Sequence, residues 1–277
     1  MNLDGDGITE SIKKLQESNQ KKPKSTIYKL IRDYIIVFLS VWLIRGGVLE
    51  QRYVVSGSMV PTLLVGDYAL IKKYAYGLSL KAFSFNHLPE YKLFASLPQR
   101  GDLVLIYRND PKGESTMYVK RVIALPGEKI KIINGVVFID KKPMVLTQFT
   151  SQPIIVGYKT GLKQQFAKIY TENLGGHKHL VAFDKRFDMN GDFDNYNEVL
   201  VPENCYFCMG DNRDYSNDSR ADLGFINCDE IIGKTDLIIM SFASEVSFWN
   251  FMDWVTSWYT GFRTERFWKR VDIETAI

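Results

Sequence analysis

The chain has 277 residues, 45% hydrophobic and 24% charged, with 35 Lys and Arg against 32 Asp and Glu for a formal net charge of +3. That length and apolar content support a large folded core and exclude a disordered chain. A charge this close to balance, with no Arg-rich recognition helix and no zinc spacing, excludes nucleic acid as the expected partner.

In chain order, residues 1–26 form a polar leader carrying Lys13, Lys14, Lys21, Lys22 and Lys24. The leader gives way to the apolar run Tyr34-Ile-Ile-Val-Phe-Leu-Ser-Val-Trp-Leu-Ile44. Extended over 27–48, this run reaches the roughly 20 residues a bilayer requires. Lys29, Arg32 and Arg45 then fall near the ends, where long basic side chains snorkel, and Asp33 is the residue that fits least. A cleaved secretory signal would be followed by small residues, whereas the chain continues Arg45-Gly-Gly-Val-Leu-Glu-Gln-Arg52, so an uncleaved single-pass anchor is expected. The lysines ahead of it place the N-terminus in the cytoplasm and everything after Arg52 across the membrane.

Beyond the anchor, short β-branched and aromatic runs stand between turn signals: Tyr68 to Tyr74, Asp102 to Tyr107, Tyr118 to Leu125, Lys129 to Ile133 and Val136 to Asp140. The expected fold is mainly β. Asn134-Gly135 between two such runs predicts a hairpin with a type I′ turn. Residues 49–142 and 204–246 read as a β core, and the polar, irregular stretch 143–203 as an inserted subdomain. Within that stretch His177 and His179 lack a third placed metal ligand, and Asp188 to Asp194 lacks the spacing of a calcium loop, so neither a metal nor another cofactor is expected. Residues 247–277 concentrate Trp249, Phe251, Trp254, Trp258, Phe262 and Phe267 opposite Asn250, Asp253, Ser257, Thr260 and Thr264, which predicts an amphipathic helix that lies in lipid headgroups or caps the core. Cys205 and Cys208, three apart on a strand-like run, are too distant to pair, and with Cys228 read as buried free thiols, the alternative being a redox or metal Cys-x-x-C.

Three segments carry chemistry. Ser56-Gly-Ser-Met-Val-Pro-Thr-Leu63 is a polar turn whose serines require a base to become nucleophilic. None of the three histidines sits in a setting that would supply one. Lysine serves as a base only when burial holds its amine neutral. In Tyr118-Val-Lys-Arg-Val-Ile-Ala-Leu125, strand alternation puts Lys120 on the face of Tyr118, Val122 and Ala124, with Arg121, which stays charged, on the other. Read alone, the same segment also fits an edge strand bearing two solvated basic residues. The third segment, Met209-Gly-Asp-Asn-Arg-Asp-Tyr-Ser-Asn-Asp-Ser-Arg220, packs charged and amide residues densely, with Asp218 and Arg220 placed to pair and Ser216 able to bond a lysine amine.

In this order behind a membrane anchor, the three segments resemble bacterial type I signal peptidase, over Val54 to Tyr74, Arg100 to Lys129 and Phe207 to Gly233. The resemblance implies two antiparallel β-sheet domains, a catalytic core and an inserted second domain, behind an N-terminal transmembrane helix. It implies Ser58 as nucleophile, Lys120 as general base, and an oxyanion hole from Ser56 and the Ser58 amide. Ser216 would orient the lysine, Asp218 and Arg220 would brace the loop with Asp211 and Arg213, and Val54, Val55, Met59, Leu63, Tyr118 and Val119 would line the substrate pockets. The substrates implied are signal-peptide-bearing preproteins cut at Ala-x-Ala-like sites, at the bacterial inner membrane with the catalytic part periplasmic. Val55 stands where a proline is common, and Arg220-Ala-Asp-Leu-Gly224 holds one residue more than the commonest pattern.

Overall fold

In the computed structural model the described residues are 13, 23–43, 48–79, 92–93, 96–109, 115–156, 165–184, 194–242 and 261–271. Two compact units divide the chain, Met1–Gly46 and Gly47–Ile277.

The first unit holds helix α1, Pro23–Leu43. Its large apolar side chains point outward along its length, Tyr34 at 74% exposure and Phe38 at 70% among them. Arg32 closes on Asp33 at 2.7 Å. Lys29, Arg32 and Asp33 interrupt its apolar character, and among the described residues no helix is long and apolar enough to cross a membrane. The helix starts four residues ahead of the expected span 27–48. At the other end Leu49 already belongs to a strand, and residues 44–47 lie outside the described ones.

The second unit is built of antiparallel strands. In chain order they are β1 Leu49–Tyr53, β2 Asp67–Lys72, β3 Leu78–Ser79, β4 Lys92–Leu93, β5 Leu103–Asn109, β6 Ser115–Ala124, β7 Lys129–Ile133, β8 Val136–Ile139, β9 Lys142–Pro143, β10 Val145–Val156, β11 Gln165–Leu174, β12 His177–Asp184, β13 Tyr196–Leu200, β14 Cys205–Met209, β15 Ile226–Asn227, β16 Ile231–Ser241 and β17 Lys269–Arg270. One sheet runs β1-β2-β16-β5-β6-β14-β15, with β17 also on β16. β6 is therefore an inner strand. From Lys120 onward its residues are buried on both faces, because Val122 packs with Val104, Tyr206 and Cys208 on one side while Ile123 packs with Ile130, Val137 and Phe207 on the other.

The Asn134-Gly135 hairpin forms as its sequence predicts, with φ of 49° and 76°, both in the left-handed region that a type I′ turn needs. Its strands β7 and β8 belong to a second sheet, β13-β7-β8-β9. That sheet joins β13 of the inserted stretch to strands of the core, so sheet and sequence boundaries do not coincide. A third sheet, β10-β11-β12, lies wholly within the inserted stretch. Its Ala167, Ile169, Leu180 and Ala182 pack on Val60, next to the Ser58 turn. The stretch from Asp188 to Phe193 lies outside the described residues. All three cysteines are free, and Cys208, buried in β14, has its thiol pushed well above the ordinary range by burial.

The C-terminal part differs from its expectation. Residues 261–271 form no amphipathic helix but a 3-10 turn, Thr264–Arg266, followed by β17 on β16; Ser247 to Thr260 lie outside the described residues. The reason is side-chain burial. Phe262 stacks on Phe242 with ring centroids 4.6 Å apart, and Arg266, 3% exposed, turns inward to Asp67, Nε on Oδ1 at 3.1 Å and Nη2 on Oδ2 at 2.6 Å. A buried carboxylate stripped of its cation is strongly destabilising. Arg266→Met is expected to lower unfolding stability by about 3–5 kcal/mol, read as a shift in the urea midpoint of the detergent-purified chain.

Candidate active site

The turn that carries Ser58 is one 3-10 turn, Gly57–Met59, capped by Ser56, whose hydroxyl oxygen accepts from the Ser58 N–H at 3.3 Å. The Ser56 hydroxyl also donates to Ser58 Oγ at 3.1 Å. Both flanks of the turn are fixed. Val54 N donates to Asp67 O at 2.8 Å and Gly66 N to Val54 O at 3.0 Å. Gly66, at φ +98°, has no room for a side chain, since a Cβ there would stand 1.9 Å from the Phe242 carbonyl oxygen.

Lys120 reaches this turn from β6. Its Nζ donates to Ser58 Oγ at 2.8 Å, and the residue is 2% exposed. Burial lowers the amine from its ordinary 10.5 to about 8, against the pull of Asp218 and Asp211 and with the help of Arg220. That displacement corresponds to roughly 3 kcal/mol lost by the charged amine relative to a free lysine. A neutral amine at this distance can accept the Ser58 hydroxyl proton, which Arg121 could never do. The alternation places Lys120 and Arg121 on opposite faces as read from the sequence, but the edge-strand alternative does not hold: Arg121 is also 2% exposed.

Arg121 is buried because it has a partner. Its guanidinium grips Asp211 at 2.8 and 2.6 Å, and Thr62 Oγ1 donates to the same carboxylate. Burial alone would raise the Asp211 carboxyl, yet the Arg121 charge and bonds hold it below the usual range. Asp218 shows the same balance: burial raises it, and Arg220, at 2.9 and 2.8 Å, with the Gly210 N–H at 2.9 Å, brings it below. Arg220 also donates to the Arg213 carbonyl at 2.7 Å. Gly210 is tightly enclosed, for a Cβ there would meet Ser216 Oγ at 2.2 Å and Ser58 O at 2.5 Å. The Ser216 hydroxyl is buried at this spot and is among the groups that lower the Asp218 carboxyl.

Of the expected pocket residues, Met59, Leu63, Val54 and Val119 share one apolar cluster with Leu103 and Ile238. Tyr118 packs in the neighbouring cluster with Val122. Val55 is 57% exposed.

Sequence reasoning missed the partners contributed by the inserted sheet. Arg213 is paired with Glu172 of β11, one contact at 3.0 Å and a second to the other oxygen. His179 of β12 lies 3.2 Å from Glu172 and 3.8 Å from Asp211, and burial, then Arg121, lowers its pKa. His177, lowered to about 4 by burial and Arg121, stands 3.3 Å from the Arg121 guanidinium. Both rings thus face charged groups of this network. Asn212 was equally invisible as a working residue; its N donates to Ser58 O at 3.1 Å and its Nδ2 to Gly57 O at 3.0 Å. The Arg213–Glu172, His177–Arg121 and Asn212–Gly57 contacts leave no local signal, since their partners lie 41, 56 and 155 positions apart in sequence.

A serine hydroxyl on a tight turn, bonded to a desolvated lysine amine in an antiparallel β scaffold, has the layout of a hydrolase that uses lysine where others use histidine. The family model described as signal peptidase, peptidase S26, matches residues 27–240. Signal peptidase I of Rickettsia bellii (strain OSU 85-389) is 32% identical over 237 residues, covering 84% of this chain and 78% of the relative. Signal peptidase I of Rickettsia typhi (strain ATCC VR-144 / Wilmington) is 33% identical over 233 residues, covering 83% and 85%. A crystal structure of a signal peptidase I from Enterococcus faecalis V583 aligns at 23% identity and a TM-score of 0.27, covering 50% of this chain and 97% of that one, a likeness too slight to bear on the fold. The chain belongs to the peptidase S26 family of signal peptidases. It is a peptidase of the kind that removes signal peptides.

Because Lys120 is buried at a cost, Lys120→Met is expected to abolish cleavage while leaving unfolding stability at pH 7 equal to or above wild type, by up to about 3 kcal/mol. Urea unfolding measured alongside activity checks both halves.

Proposed function

We propose that the chain is a membrane-anchored serine endopeptidase that cuts N-terminal signal peptides from exported preproteins at Ala-x-Ala-like sites, with Ser58 as nucleophile and Lys120 as general base. The observation that carries this reading is the 2.8 Å bond between Ser58 Oγ and a lysine amine that burial lowers to about 8. In the first step the Ser58 proton passes to Lys120 Nζ as Oγ bonds the scissile carbonyl carbon. The carbonyl oxygen takes the negative charge, and the Ser58 N–H and the Ser56 hydroxyl exchange their bonds within the turn for bonds to it, donors of a kind worth roughly 3–4 kcal/mol each. Collapse breaks the carbon–nitrogen bond, and Lys120 returns the proton to the leaving amine. Water then repeats the sequence on the acyl-enzyme, restoring Ser58.

Ser216, Asp218, Arg220, Asp211 and Arg213 hold the loop against Lys120. Val54 and Val119, the partly exposed members of the cluster that Met59 and Leu63 back, with Tyr118 and Val55, are the residues this reading assigns to the pockets for small side chains before the cut. In this reading residues 27–48 anchor the chain once in the bacterial cytoplasmic membrane; the outward apolar side chains of α1 support it, while the described helix by itself is not long and apolar enough to cross. The leader 1–26 is then cytoplasmic and the catalytic core, 49–142 with 204–246, extracytoplasmic, bearing the insertion 143–203.

A preprotein with an Ala-x-Ala site, incubated in detergent with wild type, Ser58→Ala, Lys120→Ala and Lys120→Arg, is expected to be cut only by wild type, with the new N-terminus directly after the second alanine. Cleavage by either alanine variant rejects the assignment. A lysine base must be neutral to act, so kcat/KM is expected to rise about tenfold per pH unit in acid and to level off above about pH 8. Full-length chain is expected to stay with membranes after alkaline carbonate washing, and a variant lacking residues 1–48 to be released; retention of that variant counts against the anchor.

A further inference from the structure

The inserted sheet reaches the Ser58 turn through buried polar contacts that the chemical steps above leave without a role. Glu172 of β11, 1% exposed, holds the Arg213 guanidinium with both carboxylate oxygens. The charge on Arg213 keeps that carboxyl far below the usual range in spite of its burial. On β12 the Ala182 N–H donates to Asp211 O at 2.8 Å, and the Arg213 N–H donates to Ala182 O at 2.9 Å. Asp211 and Arg213 are thus tied to the inserted sheet by main chain, and Arg213 also by side chain. Between them Asn212 faces the other way, onto the Gly57 and Ser58 carbonyls at 3.0 and 3.1 Å. The Ser58 turn is only three residues long. Asn212 therefore ties it to the loop through contacts on two successive carbonyls.

We propose that Glu172 is a positioning residue for Ser58, acting through Arg213 and Asn212, and that the three-stranded sheet β10-β11-β12 is a buttress of the nucleophile. The inference rests on the Ser58–Lys120 reading. Glu172 touches neither substrate nor the reacting atoms. Its carboxylate fixes Arg213, Arg213 fixes the path of the loop, and Asn212 passes that path to the turn. A displacement of the Ser58 hydroxyl by a fraction of an ångström breaks its alignment with both Lys120 and a scissile carbonyl, which lowers kcat and leaves ground-state binding in the apolar pockets nearly unchanged.

The test uses the full chain in detergent, with kcat and KM for a preprotein and the thermal midpoint measured for Glu172→Gln, Asn212→Ala, the pair of both, and Glu172→Gln combined with Arg213→Gln. Glu172→Gln and Asn212→Ala are each expected to lower kcat by on the order of tenfold to a hundredfold with KM within about twofold. Combined, they are expected to be no slower than Asn212→Ala alone, because the two act in series. The Glu172→Gln/Arg213→Gln chain carries no unpaired buried charge and is expected to regain the thermal midpoint without regaining kcat, which keeps the test decisive even where Glu172→Gln alone folds poorly. Recovery of kcat together with stability, an unchanged kcat in folded Glu172→Gln, or fully additive losses in the Glu172→Gln/Asn212→Ala chain each overturn the proposal. Ser58→Ala run in parallel separates the two levels. Activity surviving there rejects the dyad itself, whereas loss there with Glu172→Gln unaffected rejects only the buttress.

Discussion

The rest of the structure depends on keeping one lysine amine out of water beside one hydroxyl. An exposed lysine stays charged near neutral pH and has no lone pair to offer; a desolvated one titrates within reach of it. The desolvation comes from position in the sheet. Lys120 sits on an inner strand between β5 and β14, on the face that Val104, Val122 and Cys208 fill. The Ser58 turn covers its end.

Burial alone would be undone by bare carboxylates nearby, since Asp218 and Asp211 both favour the charged amine. The fold answers by giving each carboxylate its own arginine. Asp211 pairs with Arg121, Asp218 with Arg220 and Glu172 with Arg213, while Asp67, which fixes the far side of the Ser58 turn, pairs with Arg266. Such buried pairs add little net stability over apolar packing, but losing either member is costly. Their use here is geometric: Asp211–Arg121, Glu172–Arg213 and Asp67–Arg266 span elements distant in sequence while Asp218–Arg220 braces its own loop, and together they fix where the Ser58 turn, the Lys120 strand and the 209–220 loop meet. His177 and His179 join the same network without adding charge, because burial and Arg121 lower both.

The parts of this arrangement that were legible in the sequence are those with a local signal. Strand alternation separates Lys120 from Arg121, Asn134-Gly135 announces its hairpin, and the ordered motifs bring Ser58, Lys120 and the 209–220 loop into one reading. What stayed hidden are partners chosen by tertiary packing. Arg121 looks like a solvated neighbour of Lys120 until Asp211 appears, ninety positions away. Glu172 and His179 sit on strands whose polar composition reads as surface, yet both are buried. The C-terminal pattern suggests an amphipathic helix, but over residues 261–271 the burial of Phe262 and Arg266 outweighs helical periodicity.

The most direct test of the central claim is to follow the Lys120 amine itself by NMR, titrating selectively labelled lysine in the detergent-solubilised chain and assigning the signal by its absence in Lys120→Met. The account predicts one lysine with a midpoint near pH 8, well below the ordinary 10.5. A Lys120 midpoint at the ordinary lysine value would contradict it, because the amine would then stay charged under working conditions and could not take the proton from Ser58.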